Sequence, residues 1–110
     1  VLYPALPGAR GHDLWKRDFA LATGLFTIVL EPGPAHERLA AMLDRMRLFR
    51  MGWSWGGYES LIIPTDPNRL RTVSRIDVGG PCLRLHIGLE NPDDLIADLD
   101  DGFERLLGRG

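Results

Sequence analysis

Residues 91–108 constrain the fold of this chain more than any other stretch, because they carry both ends and the buried face of one helix. Asn91 is a good N-cap, Pro92 suits the first helical position, and Asp93 and Asp94 favour the positive helix N-terminus. Leu95, Leu99, Phe103 and Leu106 make an apolar stripe, widened by Ile96 and Leu107, and Gly108 ends it. Such a helix is stable only against an apolar surface, and the residues just upstream supply one. Residues 82–87 alternate: Leu83, Leu85 and Ile87 point one way, Cys82, Arg84 and His86 the other, which predicts a strand with two unlike faces ended by Gly88.

Further upstream, residues 24–30 form a β-branched and aromatic run started by Gly24, which predicts a buried strand broken by Glu31-Pro32-Gly33-Pro34. A second helix is predicted from Pro34, with Leu39, Met42, Leu43, Met46 and Phe49 on one face and Gly52 as its stop. Residues 53–60 read as irregular chain around Gly56 and Gly57, followed by a strand, Leu61-Ile62-Ile63, closed by Pro64. Residues 65–81 read as a long loop with a helical turn within residues 68–74, residues 1–10 as an extended lead-in, and Leu14, Trp15, Phe19 and Leu21 as the lining of one short helix. From residue 24 onward the order is strand, helix, strand, strand, helix. It predicts an α+β fold: a two-layer sandwich in which a small, largely antiparallel sheet carries the helices on one face. Residues 1–110 are read as a single domain, long enough to bury roughly two-thirds of the surface its unfolded form exposes.

Composition narrows the functional classes. Apolar residues are 45% and charged residues 25%, close to globular averages, and the formal net charge of −2 does not suit a nucleic-acid partner. The longest apolar run, residues 24–30, is too short to span a bilayer, and no signal peptide precedes it, so a membrane role is not expected. The single cysteine, Cys82, excludes an internal disulfide and fits a reducing compartment. The chain opens on Val1 rather than Met, which reads as a cut or processed start. Of thirteen Lys and Arg residues only Lys16 is a lysine, so any chemistry needing a lysine amine must use it or find one elsewhere.

Metal chemistry is disfavoured: His12, His36 and His86 are scattered and no His or Cys pair has ligand spacing. Cys82 is either a thiolate stabilised by Arg84 or, several times more often for a cysteine, a small packed thiol. His86 shares a strand face with Arg84 and is equally consistent with packing and with a site. Gly56-Gly57, flanked by Trp53, Trp55 and Tyr58, suits either a backbone that something approaches closely or a tight turn packed by aromatics. Arg84 stands on the strand face away from the core. On a free-standing domain, whether a small-molecule-binding or protein-interaction module, that face would be wet and the arginine unremarked. On a domain docked to another it would form a floor, and its planar fork of donors suits a carboxylate better than any other side chain.

A resemblance gives that face a purpose. The stretches Gly11-His12-Asp13-Leu14-Trp15-Lys16-Arg17-Asp18-Phe19, Gly24-Leu25-Phe26, Trp53-Ser54-Trp55-Gly56-Gly57-Tyr58-Glu59-Ser60-Leu61 and Arg84-Leu85-His86-Ile87-Gly88-Leu89-Glu90 resemble, in order, the C-terminal domain of the cystathionine β-lyases. Those enzymes are a branch of the pyridoxal-phosphate (PLP) family of cysteine and methionine metabolism. The resemblance implies the C-terminal domain of the aspartate-aminotransferase-like fold, with the large PLP-binding domain, its Schiff-base lysine and its phosphate cradle in an N-terminal part missing from this chain. Lys16 does not match that lysine.

The same resemblance implies that Arg84 grips the substrate α-carboxylate, that Ser54 helps position the lysine, and that the Trp55 backbone N–H also contacts the carboxylate. Trp53 stands where β-lyases often carry tyrosine and has no phenol to offer. The implied reaction of the full-length protein is α,β-elimination of an amino-acid substrate, cystathionine giving homocysteine, pyruvate and ammonia, in methionine biosynthesis. A cytoplasmic homotetramer is implied, as is inactivity of this chain alone, which is expected to carry no catalytic residue and to bind no PLP.

Overall fold

The computed structural model describes residues 1–109. Six elements follow in order: α1 (His12–Asp18), β1 (Leu25–Val29), α2 (His36–Asp44), β2 (Leu61–Thr65), β3 (Cys82–His86) and α3 (Pro92–Leu106). The three strands form one sheet in the order β1-β3-β2, with β3 antiparallel to both neighbours. Phe26 and Ile62 both face Leu85, and Thr27 and Ile63 both face Arg84. Since β1 and β2 run the same way on opposite sides of β3, the chain between them must cross the sheet, and α2 lies in that crossover. The observed architecture is the α+β sandwich expected: α2 and α3 pack together, and the core joins Met42, Leu43, Met46 and Phe49 to Ile62, Leu83, Leu85, Leu95 and Leu106.

α3 forms where its capping residues put it. The Asn91 side chain accepts from the Asp93 N–H at 2.9 Å, and Gly108 takes φ +77°, a conformation that glycine adopts without strain. Leu95 and Leu106 are buried and Leu99 and Phe103 pack against the core, but Ile96 and Leu107 are exposed, so the buried stripe is narrower than predicted. Asn91→Ala removes one helix-end acceptor and is expected to lower stability by about 1 kcal/mol, read from a denaturant midpoint.

Three elements depart from the sequence reading. α2 starts at His36 rather than Pro34 and stops at Asp44, well before Gly52. Met46 and Phe49 are nevertheless buried, because the chain after Asp44 bends around the carboxylate of Asp98 on α3. Asp98 accepts from the N–H groups of Arg47 at 2.9 Å, Leu48 at 2.8 Å and Phe49 at 3.1 Å, donors that a continued helix would have kept for itself.

β2 runs through Pro64 to Thr65 instead of closing before it. The Ile62 N–H points outward, donating to the Arg50 carbonyl at 2.9 Å, so the Pro64 nitrogen two residues on also faces outward and its missing proton removes no bond to β3. α1 forms, but Leu14 is exposed, while Phe19 and Leu21 lie beyond the helix and are exposed too. In the loop after β2 the turn closes earlier than predicted, at residues 67–70, and is tied by Asn68. Its side chain donates to the Ile76 carbonyl and accepts from the Ile76 N–H, both at 2.8 Å.

Candidate functional site

The second face of β3 is not bare. Cys82, His86 and the neighbouring Ile63 are buried, and Arg84 between them is half-buried. The irregular segment Trp53–Gly57 accounts for part of this cover. Arg84 Nη2 donates to the Trp53 carbonyl at 2.6 Å and to the Ser54 carbonyl at 3.4 Å, and its guanidinium lies 5.8 Å from the Trp53 ring centroid. Next along the same face, His86 Nδ1 accepts from the Gly56 N–H at 3.3 Å and Nε2 pairs with the Gly57 carbonyl at 3.0 Å. The wet face expected for a free-standing domain is thus overlaid by a loop held through Arg84 and His86.

A third tie closes the other end of the loop, and only the joint occurrence of its members in the two motif stretches signalled it. Ser60 is fully buried. Its N–H and its hydroxyl donate to the two oxygens of Glu90, at 2.8 and 2.7 Å, and its oxygen accepts from the Gly88 N–H at 2.9 Å. The Ser60 N–H, acting against burial and helped by the Ser60 hydroxyl, holds the Glu90 carboxyl below the usual range. Leu89 N–H adds a bond to the Tyr58 carbonyl at 2.8 Å. The close approach depends on Gly88, where a Cβ would run into the Tyr58 carbonyl. The stretch from Trp53 to Leu61 and the stretch from Arg84 to Glu90 are therefore two halves of one hydrogen-bonded unit.

Ser54, Trp55 and Trp53 sit together on this loop and all three are exposed, Trp53 at 69% and Trp55 at 63%. Among the described residues only Nη2 of Arg84 meets a protein acceptor, so Nε and Nη1 keep donors to offer. A guanidinium fixed at one nitrogen by carbonyls and open at the others can take a carboxylate in two-point contact.

The remaining candidates separate from this cluster. Burial pushes the Cys82 thiol up, and the Asp66 carboxylate adds to the effect, which favours the packed thiol over the reactive one. His12 bonds the Pro4 carbonyl and stacks on Trp15, and His36 is exposed at the start of α2. Among the described residues no group of three His, Cys, Asp or Glu side chains could hold a metal, and no helix is long and apolar enough to cross a membrane. Lys16 stands exposed on α1. The Arg84 cluster thus has no amine of its own, and its residues do not make a holding site for a carbonyl cofactor such as PLP. A concavity of about 480 Å³ lies elsewhere, between the turn after β1 and the end of α3, lined by Leu30, Pro32, Arg38, Phe103 and Leu106 among others.

Known proteins share this arrangement of sequence and fold. The family described as "Cys/Met metabolism PLP-dependent enzyme" matches residues 1–104. Cystathionine beta-lyase MetC of Escherichia coli is 52% identical over 110 residues, covering 97% of this chain and 28% of that protein. An L-alanine/L-glutamate racemase of Wolbachia pipientis is 47% identical, covering 96% of this chain and 27% of its own length. Among solved structures, cystathionine gamma synthase of Xanthomonas oryzae, in complex with aminoacrylate and cysteine, superposes with a TM-score of 0.76 at 29% identity, covering 98% of this chain and 29% of that one. The chain spans little more than a quarter of the length of these relatives. With a family match across nearly all its residues and the same small α+β sandwich in its structural neighbours, the chain belongs to the PLP-dependent enzymes of cysteine and methionine metabolism.

Proposed function

We propose that this chain is the substrate-carboxylate-binding domain of a longer PLP-dependent carbon–sulfur lyase that converts cystathionine to homocysteine, pyruvate and ammonia by α,β-elimination. The observation that carries the reading is the state of Arg84: anchored at Nη2 by two carbonyls, backed by Trp53, and open at its other donors. The relatives support the same division of labour. A cystathionine lyase and an alanine/glutamate racemase share this domain at similar identity, and the feature common to their named substrates is the α-amino acid, not the bond that changes. A domain kept across both reactions suits recognition of the α-carboxylate.

In the longer protein PLP would supply the electron sink at the substrate α-carbon, held by residues outside this chain. The part played here is positioning. Arg84 takes the α-carboxylate as a charge-assisted pair, Ser54 and the Trp55 backbone complete that end of the pocket, and fixing the carboxylate fixes the direction of the α C–H bond. Trp53 and Trp55, too exposed for a finished surface, would close against the rest of the protein and exclude water from the pair.

The test is Arg84→Ala in the longer protein. A hydrogen bond to a charged group contributes about 1.5–3 kcal/mol, so KM for the amino-acid substrate is expected to rise by about 10- to 150-fold. PLP content, read from cofactor absorbance, is expected to stay unchanged. Equal loss of PLP and substrate binding, or an unchanged KM, would remove Arg84 from this role.

A further inference from the structure

The Trp53–Gly57 segment has no strand or helix to hold it. Its position over Arg84 therefore depends on side chains reaching up from β3. Among the described residues, the hydrogen bonds that do so come from two residues of one strand face: Arg84, to the Trp53 and Ser54 carbonyls, and His86, to Gly56 and Gly57. Arg84 cannot serve as the anchor, since it is itself the group being oriented. His86 is suited to it: its side chain is 6% exposed, and it sits on the central strand with both neighbours paired. Its two ring nitrogens engage two consecutive residues in opposite senses. Nδ1 accepts from the Gly56 N–H, which leaves the proton on Nε2, where it is donated to the Gly57 carbonyl. Only the neutral imidazole in that tautomer satisfies both partners. Gly56 takes φ +83°, a backbone state that turns the loop back over the strand and that few other residues would hold.

From this geometry we propose that His86 is a positioning residue for substrate binding: it bolts the Gly56-Gly57 turn to β3 and so keeps the Trp53 and Ser54 carbonyls where they hold Arg84. The proposal rests on the reading of Arg84 as the carboxylate-binding group. Without His86 the turn lifts, the guanidinium loses its two fixed acceptors, and the donors meant for substrate are no longer presented in one direction. The contribution belongs to binding, because His86 lies under the loop and both its nitrogens are taken.

The experiment is a double-mutant cycle in the longer, PLP-loaded protein, with His86→Phe, Arg84→Ala and the pair. Phenylalanine keeps a flat aromatic ring, somewhat larger than the imidazole, and removes both hydrogen bonds, so KM is expected to rise about tenfold. kcat and PLP content are expected to change by less than about twofold if the effect is on positioning. His86→Gln, which keeps an N–H for the Gly57 carbonyl, is expected to recover KM to within about threefold of the parent, half of the bonding being retained.

In the Arg84→Ala background, His86→Phe is expected to leave KM unchanged, because it acts only through that arginine. Equal effects of His86→Phe in both backgrounds would overturn the proposal, as would an unchanged KM in the single variant. If Arg84→Ala raises KM and His86→Phe does not, only the role of His86 falls. If Arg84→Ala itself has no effect, the carboxylate reading falls and this proposal with it. Should His86→Phe fail to fold, the same cycle run with His86→Leu, which also removes both hydrogen bonds, decides on the same criterion.

Discussion

Replacing Asp98 with alanine is expected to lower the unfolding free energy by about 3–5 kcal/mol, because three backbone N–H groups lose a charged acceptor at about 1–3 kcal/mol each, less what water recovers at the partly exposed ones. The carboxylate is 1% exposed and receives the consecutive N–H groups of Arg47, Leu48 and Phe49, with the Arg47 guanidinium 3.8 Å away. Alanine leaves three backbone donors without their acceptor at the point where the chain leaves α2, and Met46 and Phe49 depend on that bend for their burial. For a domain of this size the loss corresponds to a melting temperature lower by well over 10 °C. A shift of only a few degrees would mean that water replaces the carboxylate at little expense.

The same residue sets a pH dependence. Burial pushes the Asp98 carboxyl up, but the three N–H groups, with the Arg47 charge, pull it further down, so its pKa is net below the usual carboxylate range. A lowered folded-state pKa contributes stability that is fully present above the ordinary aspartate value of about 4 and is lost as pH falls through the lowered one. Glu90, lowered by Ser60, acts with the same sign. Melting temperature is expected to fall below about pH 4 in the parent chain and to fall less in Asp98→Asn, which has no proton to take up.

Gly88→Ala is the second large effect. Its Cβ would overlap the Tyr58 carbonyl and crowd Glu59, which are backbone atoms that no side-chain rotation can move. Relief requires the 58–60 segment to draw away from β3, which breaks the Leu89 bond to Tyr58 and loosens the Ser60–Glu90 pair. The expected loss is about 3 kcal/mol, the upper end for an overpacked site. Gly57→Ala is the control: nothing lies within 4 Å of its Cβ and its φ is not positive, so its melting curve is expected to follow the parent within a degree or two. Equal effects of the two would show that loss of glycine, and not the clash, is what matters.

What could be read from the sequence was what is decided locally. α3 carries its cap, its stripe and its terminator within one stretch, and its ends and the centre of its stripe are as read, with only the flank of Ile96 and Leu107 left exposed. The alternation of residues 82–87 assigned the faces of β3 for the same reason. The end of α2 could not be read there, because the group that ends it, Asp98, lies about fifty positions away and looks like one of several helix-surface aspartates. Pro64 reads as the end of β2 because a missing N–H ends most strands; that the nitrogen faces outward follows only from the pairing of Ile62 with Arg50.

The candidate site shows the same division. Periodicity put Arg84 on the face away from the helices, and the resemblance supplied a carboxylate for it to bind. The resemblance also sets the Trp55 N–H on the same carboxylate as Arg84, but neither it nor periodicity gives the bonds that fold Trp53, Ser54, Gly56 and Gly57 over that face, since these join residues some thirty positions apart. Spacing makes Leu14, Trp15, Phe19 and Leu21 the lining of one helix, whereas α1 ends at Asp18 and, Trp15 apart, these side chains meet solvent within this chain. Spacing specifies a side of the chain and says nothing of whether another surface lies against it.

The outward-facing nitrogen of Pro64 also bears on how copies of this chain can meet. A three-stranded sheet has two free margins, each able to template the addition of a further strand. On the β2 margin, Arg50 takes up the Ile62 N–H at one end and Pro64 has no N–H to offer at the other. On the β1 margin, Leu2 bonds Thr27 in both directions, at 2.7 and 3.4 Å, and occupies the middle of the strand. Neither margin offers an unbroken ladder, so the sheet is guarded against cross-β propagation at the backbone level.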